Sequence, residues 1–303
     1  MIPFEPIKIE NKVLYQKYLL DGTERGCEYS FVNLYAWGRQ NATIIHDHLV
    51  IYSQFNCRTI YPFPVGTGNK KVVLDALIAD AKERGIACRF TGLSAADRET
   101  LETLYPKQFH FHCSRDTFDY IYDINDLADL KGRTYQKKRN HCNRFRQEHP
   151  NYRVEPLTPN NLPLVEAFAA KWYETKLAEN SENDFLMEQT ALSKVFRHYE
   201  ALDIDGLILF DYDKILAFTL GSLCTPNTFD VHFEKGLSDV NGAYAIINCE
   251  FAHYIRKKYP QIQFLNREDD MGIEGLRLAK QRYYPHHMIE KYWAHMSEED
   301  YEY

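Results

Sequence analysis

The sequence predicts an α+β protein with a mixed sheet in each of two tandem domains. Residues 228–268 read as strand, glycine-bearing loop, long helix and strand, and a crossover of this kind makes its two strands parallel. A hairpin around residues 211–214 adds antiparallel strands. The order strand, two helices, three strands, glycine loop, helix, strand, helix and two strands occurs in both halves of the chain. The sequence therefore indicates a duplicated topology, although few residues are identical between the halves.

Cap and turn residues divide the first half into short elements. Apolar residues recur at helical spacing over residues 71–84, Gly85 ends that helix, and Ser94 caps the next one. The predicted elements are strand 4–9, helices 12–20 and 29–37, strands 42–46, 49–55 and 58–63, helix 71–84, strand 87–91, helix 94–104, and strands 109–113 and 117–124.

The second half is organised around one strand and one helix. Apolar and polar residues alternate with a period of two over residues 228–234, and the helix over 243–258 has an apolar face and ends before Pro260. The predicted elements are strand 152–156, helices 162–176 and 188–202, strands 207–210, 215–223 and 228–234, helix 243–258, strand 261–265, helix 273–281 and strand 287–293.

These patterns divide the chain into three ranges. Residues 1–130 form an N-terminal domain that we expect to be mainly architectural, and residues 131–149 form a basic linking helix. Residues 150–303 form a C-terminal domain that contains the cleft for chemistry. A length of 303 residues is consistent with two domains.

Composition excludes several classes of protein. The net charge of -7 gives no overall attraction to nucleic acid or to an anionic membrane, so such a partner would need a local basic patch. The seven cysteines are scattered and form no C-x-x-C pair, which favours a reducing compartment. No apolar run approaches a membrane span, and the N-terminus lacks a signal peptide. We expect a cytoplasmic protein without membrane insertion.

Two runs of residues carry a family resemblance. Residues 131–145 read KGRTYQKKRNHCNRF and residues 266–284 read NREDDMGIEGLRLAKQRYY. With these runs the chain resembles the C-terminal domain of phosphatidylglycerol lysyltransferases and their soluble relatives of unassigned function. The order of elements is similar to the GCN5-related N-acyltransferase (GNAT) fold, and a tandem pair looks like the Fem-type peptidyl transferases. The resemblance implies acyl or aminoacyl transfer from a CoA thioester or an aminoacyl-tRNA, without choosing between these donors.

The first candidate site is the polar side of strand 228–234. The period of two places Asp230, His232 and Glu234 together, and a histidine beside carboxylates can titrate near neutral pH. Transfer of an acyl group to an amine requires a base that removes the ammonium proton. We therefore predict His232 and Glu234 as catalytic residues, with Glu234 favoured because it borders the glycine loop. The alternative is an ordinary polar sheet face.

The loop after this strand is the predicted donor site. A helix N-terminus preceded by glycines suits anions such as the phosphates of a donor. In the related fold family this loop has the motif Arg/Gln-x-x-Gly-x-Gly/Ala. This chain has Asp239 at the first motif position and Tyr244 at the last, which disfavours CoA. The alternative is a simple strand-to-helix turn. The predicted donor-binding residues are Lys235, Gly236, Asn241, Gly242, Ala243 and Tyr244.

A third candidate site follows strand 261–265, at the end where open α/β sheets bind ligands. Its three consecutive carboxylates suit an amine or ammonium group. The alternative is that Asp270 caps the next helix and Arg267 pairs with an acid. No metal site is predicted, because a hard cation would need spaced oxygen ligands in a loop. The predicted acceptor or amine-recognition residues are Asn266, Arg267, Glu268, Asp269 and Asp270.

The basic helix is the fourth candidate site. Its cations follow one another without an intervening acid, so it could contact phosphates of tRNA or of CoA. The alternative is a solvated helix that pairs with acids such as Asp126 and Asp129. The predicted phosphate or tRNA contacts are Lys137, Lys138, Arg139 and Arg144.

Together these features predict an acyl- or aminoacyl-transferase. The co-substrate would be a CoA thioester or an aminoacyl-tRNA, no other cofactor is firmly implied, and the acceptor would be a small molecule, a peptide or a lipid headgroup. The hypothesis requires an opening between strands 228–234 and 261–266 that admits the donor carbonyl. The alternative is a non-catalytic module of GNAT fold that binds a nucleotide-containing ligand or RNA.

Overall fold

A computed structural model describes residues 1–55, 58–179 and 184–296 of the chain. The strands in these ranges are β1 (Glu5–Pro6), β2 (Gln40–Ile45), β3 (His48–Phe55), β4 (Arg58–Pro62), β5 (Val65–Gly66), β6 (Arg89–Leu93), β7 (His110–Cys113), β8 (Asp119–Asp123), β9 (Tyr152–Pro156), β10 (Asp205–Asp211), β11 (Lys214–Thr225), β12 (Thr228–Gly236), β13 (Phe264–Asn266), β14 (His287–Ile289) and β15 (Tyr292–His295). The α-helices are α1 (Lys12–Leu19), α2 (Phe31–Ala36), α3 (Lys70–Arg84), α4 (Ala95–Leu104), α5 (Ile124–Asp129), α6 (Gln136–Glu148), α7 (Leu162–Glu179), α8 (Asp184–Arg197), α9 (Ala243–Lys258) and α10 (Glu274–Gln281). Within the described ranges, no helix combines the length and the apolar character that crossing a membrane requires.

The strands form two mixed sheets. The first has the order β1-β2-β3-β4-β6-β15-β7, with β5 paired to β3, and the second has the order β14-β8-β13-β12-β11-β10-β9. Each sheet contains a parallel pair among antiparallel ones, β4 with β6 in the first and β12 with β13 in the second. This confirms the predicted α+β class with mixed sheets.

The chain divides into two compact units, each built from segments that are distant in sequence. The first unit contains Met1–Asp119, Asp269–Arg277 and the C-terminal segment from Met288, and the second contains Tyr120–Glu268 and Leu278–His287. Two strand placements in the sequence prediction were wrong: β8 lies in the second sheet and β15 in the first. An alternating pattern specifies a strand and its buried face, but it does not specify which strands pair with it.

The core of the second unit packs around α9. Ile246, Phe251 and Ile255 of this helix are buried, as its apolar periodicity predicts. Gly242 precedes α9 with a φ of +85°, a conformation that favours glycine. A side chain there would also lie 3.0 Å from the carbonyl oxygen of His141, so the glycine allows α6 to approach the start of α9.

The parallel pair β12–β13 is short, and this creates an opening in the second sheet. The pairing joins Thr228–Asp230 to Phe264–Asn266 and ends there, although β12 continues to Gly236 beside β11. The chain then turns at Glu268, which has a φ of +56° and donates its N–H to the Asn266 side chain at 2.7 Å. The next backbone hydrogen bonds connect this segment to Tyr120 instead of β12. The two strands therefore do not pair along their full length, and we call the region beyond Asp230 and Asn266 the opening.

The close approach of β11 to β12 at Gly221 can be tested by substitution. A Cβ at Gly221 would lie 2.0 Å from the carbonyl oxygen of Asp230, a backbone atom that the ladder holds in place. We expect Gly221→Ala to lower the free energy of unfolding by about 1–3 kcal/mol, measured by urea titration. Gly275→Ala in α10 is the control, because no atom of a described residue lies within 4 Å of the added methyl group. Equal midpoints for the two variants would contradict the close approach of β11 and β12.

Candidate active site

A β-bulge interrupts β12 next to the opening. Phe233 pairs with Leu220 and Val231 pairs with Gly221, so the intervening His232 has no opposite residue on β11. Bulges change the direction of side chains and are frequent beside active sites. His232 therefore occupies an irregular position at the point where β13 leaves β12.

The His232 ring connects a buried hydroxyl group to two carboxylates. Its Nε2 lies 2.8 Å from Ser222 Oγ, and its Nδ1 lies 3.4 Å from Glu268 Oε1 and 3.5 Å from Asp230 Oδ2. The side chains of His232 and Asp230 are fully buried, whereas that of Glu268 is 25% exposed. In the tautomer that donates from Nδ1 to a carboxylate, Nε2 accepts a hydrogen bond from Ser222. In the other tautomer, Nε2–H donates to Ser222 and Nδ1 can accept a proton from Glu268.

The same three titratable residues could also hold a metal. Asp230, His232 and Glu268 each offer one ligand atom, and these three atoms lie within 4.8 Å of one another. We interpret the group as hydrogen-bonded, because both ring nitrogens have polar partners. That the chain holds no metal stays a prediction.

The first unit contains a comparable group, Cys27, Glu28 and Asp119. Here the ammonium of Lys291 already lies 2.8 Å from Glu28 and 2.6 Å from Asp119. A buried lysine thus supplies the positive charge that a metal would otherwise provide.

An ion pair spans the opening. Arg267 Nη2 lies 2.9 Å from Glu234 Oε1, and the two side chains are 15% and 10% exposed. Glu234 belongs to the part of β12 beyond the ladder, and Arg267 directly follows β13. The remaining atoms of the pair, Arg267 Nη1 and Glu234 Oε2, are buried and make no hydrogen bond to a described residue.

Lys138 of α6 contacts the same aromatic ring as Arg267 of this ion pair. Its ammonium lies 3.5 Å from the centre of the Tyr283 ring, and the Arg267 guanidinium lies 5.0 Å from the same ring. Burial, together with the neighbouring Arg267 and Arg282, lowers the pKa of Lys138 to about 8. Burial and the two neighbouring guanidinium groups therefore disfavour the charged form of Lys138.

Two aromatic side chains bond to the backbone at the start of the predicted donor loop. The carbonyl oxygen of Gly236 accepts hydrogen bonds from Trp172 Nε1 at 2.9 Å and from the Tyr244 hydroxyl at 3.2 Å. Lys235 is ion-paired with Glu188 at 2.5 Å. Gly242 starts α9, and Ala243 donates its N–H to the Val240 carbonyl. Asn241 is exposed.

The predicted acceptor residues fall into two sets. Asn266, Arg267 and Glu268 lie in the second unit together with His232. Asp269 and Asp270 belong to the first unit. There Asp270 is fully buried and accepts two hydrogen bonds from Arg277, at 2.8 and 2.9 Å, as a structural partner would.

The four predicted phosphate contacts on α6 have different surroundings. Lys137 is exposed, and Lys138 is the half-buried residue beside Tyr283. Arg139 donates to the carbonyl oxygens of Leu130 and Gly132, and Arg144 lies 2.7 Å from Glu148. These cations do not form one common surface.

Sequence reasoning missed Ser222. It lies on β11 opposite Asp230, and this register brings its hydroxyl to His232. Strands over residues 215–223 and 228–234 were predicted, but a bulge in the pairing of β11 with β12 changes which residues face each other. No signal in the sequence identifies that bulge.

Comparison with known proteins gives matches over most of the chain. The family model described as phosphatidylglycerol lysyltransferase, C-terminal, matches residues 22–295. A solved structure from Bacteroides thetaiotaomicron, a conserved protein of unknown function, is 37% identical with a TM-score of 0.93, covering 98% of this chain and 100% of that chain. L-PGS from Bacillus licheniformis is 14% identical with a TM-score of 0.69, covering 97% of this chain and 93% of that chain.

A tandem GNAT protein from the clavulanic acid biosynthesis pathway is 8% identical with a TM-score of 0.52, covering 98% of this chain and 99% of that chain. Similarity at this level shows the fold, and it confirms the predicted tandem GNAT-like architecture. An uncharacterized protein of Mycoplasmoides gallisepticum is 25% identical over 179 residues, which are 57% of this chain and 54% of that relative. The match thus spans about half the length of that relative.

The pair of Glu234 and Arg267 can be tested by a double-mutant cycle. Arg267→Met leaves a buried carboxylate without its cation, so we expect the free energy of unfolding to fall by roughly 3–5 kcal/mol. Glu234→Gln combined with Arg267→Met should recover most of this loss, because the isolated charge is then absent. Urea titrations of the four proteins measure the coupling. Additive effects would show that the two side chains do not interact.

Proposed function

This chain belongs to the family of phosphatidylglycerol lysyltransferase C-terminal domains, and on that premise we propose that it transfers an acyl or aminoacyl group to an amine or hydroxyl acceptor. Family membership and the tandem GNAT-like fold support acyl or aminoacyl transfer as the general activity. The donor would be an aminoacyl-tRNA or a CoA thioester. The acceptor would be a small molecule, a peptide or a lipid headgroup.

The observation that carries this proposal is the end of the β12–β13 ladder at Asp230, directly beside the bulge at His232. A donor carbonyl in the opening would lie along the free edge of β12, where backbone N–H groups can stabilise the oxyanion. The acceptor nitrogen or oxygen forms a bond to the carbonyl carbon, and the bond to the ribose oxygen or the thiol sulfur breaks. The leaving group receives a proton, and the acceptor loses one.

We assign removal of the acceptor proton to the His232–Glu268 pair. Glu268 is the partly exposed member, so it can contact the acceptor and take its proton, and His232 can then receive that proton at Nδ1 and become an imidazolium beside Glu268 and Asp230. Ser222 and Asp230 orient the ring. Glu234 is already bound by Arg267, so we assign it to positioning and not to proton transfer.

The donor loop favours an aminoacyl-tRNA over a CoA thioester. The Tyr244 and Trp172 side chains both bond to the Gly236 carbonyl, and Asp239 precedes the helix where pyrophosphate would bind. The same departure from the family motif favours, as the second candidate function, a GNAT-fold module that binds a nucleotide-containing ligand or RNA without catalysis. A thermal-shift comparison of acyl-CoA, charged tRNA and uncharged tRNA distinguishes these donors and ligands.

His232→Gln tests the catalytic assignment. We expect turnover to fall about 10²–10⁴-fold while donor affinity stays the same, because glutamine keeps a hydrogen bond to Ser222 but cannot transfer a proton. The measurement is consumption of labelled aminoacyl-tRNA or acyl-CoA with a pool of free amino acids, dipeptides and phosphatidylglycerol vesicles as acceptors. His141→Gln is the control, because that histidine is exposed on α6. Wild-type protein that binds a donor and never consumes it would support the binding module instead.

A further inference from the structure

Positive charge exceeds negative charge around the Tyr283 ring. Lys138 and Arg267 both lie against this ring, and Arg282 is close enough to lower the pKa of Lys138. Glu234 is the carboxylate that acts on Lys138, and its Oε1 is already bound to Arg267. Uncompensated charge in a buried setting is costly, and a counter-ion would remove that cost.

The same place offers an unused hydrogen-bond donor. Arg267 Nη1 is buried and donates to no described residue, although a guanidinium normally satisfies its N–H groups. Arg267 directly follows β13 and its guanidinium is paired with Glu234 of β12, so this N–H group lies near the two strands at the end of their ladder. A negatively charged oxygen is the partner that suits both the orphan donor and the excess charge.

We propose that Lys138 and Arg267 form a binding site for an oxyanion, the carboxylate or phosphate group of the acceptor substrate. That the ligand is a substrate rests on the proposed function, whereas the oxyanion site itself depends only on these two cations. The guanidinium donates from Nη1, and the Lys138 ammonium supplies the second positive charge. Glu234 keeps Arg267 in place through the other guanidinium nitrogen.

Binding at this site takes up a proton in mildly alkaline solution. The pKa of Lys138 is about 8 because of burial and of Arg267 and Arg282, with Cys142 and Glu234 acting in the opposite direction. At pH 8.5 much of the empty site therefore holds neutral lysine, and a bound anion favours the ammonium. At pH 6.5 the lysine is protonated before binding, so no proton is taken up.

Isothermal titration of the full chain with sodium acetate and with inorganic phosphate, at fixed ionic strength, tests the proposal. We expect saturable binding, with Lys138→Met weakening it by about tenfold or more and Lys137→Met leaving it unchanged, because the adjacent Lys137 is exposed. Stronger binding of acetate identifies a carboxylate ligand, and stronger binding of phosphate identifies a phosphate ligand.

Proton uptake provides a readout that a structural role of Lys138 would not change. Titrations at pH 8.5 in two buffers of different ionisation enthalpy should show uptake for the wild type and none for Lys138→Arg, which keeps its charge at this pH. Absence of saturable binding, or equal affinity for wild type and Lys138→Met, would overturn the proposal. These titrations contain no donor, so the anion-binding result stands on its own even if the transferase assay shows no activity.

Discussion

The early end of one parallel ladder determines the geometry of the candidate site. β13 lies between β12 and β8, and after three paired residues the turn at Asn266 and Glu268 takes the chain away from β12 while its hydrogen bonds to β8 continue. A left-handed conformation at a glutamate carries an energetic cost, and the buried Asn266 side chain stabilises it through a hydrogen bond. The turn does two things at once, because it opens the sheet and brings the Glu268 carboxylate to His232.

Buried charges in this protein fall into two kinds. In the first unit Arg277 binds Asp270 through two nitrogens, and Lys291 lies between Glu28 and Asp119, so each charge has close partners of opposite sign. Such networks are explained by the folded structure alone. Beside the β12–β13 opening, Arg267 Nη1 and Glu234 Oε2 are buried without a hydrogen bond to a described residue. Glu28 Oε2 in the first unit also makes no hydrogen bond, but it lies 2.8 Å from the Lys291 ammonium. Buried polar atoms without a protein partner can be satisfied by water or by a ligand.

Much of the fold was accessible from the sequence, whereas less of the site was. Gly85 and Ser94 end and begin helices where cap chemistry places them, and the apolar face of α9 is buried as its periodicity requires. These signals are local. The contact of Ser222 with His232 depends on strand register and on a bulge, and the inward direction of Lys138 depends on the ring of Tyr283, far along the chain. Packing between residues distant in sequence determines both contacts, so the basic run alone could not reveal which of its lysines packs against Tyr283.

The inward direction of Lys138 also bears on how this site would discriminate among acceptors. A cation held against an aromatic ring beside a guanidinium is destabilised until an anion arrives, so an uncharged acceptor would leave it in that state. An acceptor that carries an oxyanion removes the repulsion and gains two charge-assisted contacts. The preference for such an acceptor would then come from the repulsion between the two cations in the empty site as much as from the strength of the new contacts. A transferase that selects one acceptor amine among many cellular amines needs a second group of this kind, because the amine group alone does not distinguish them.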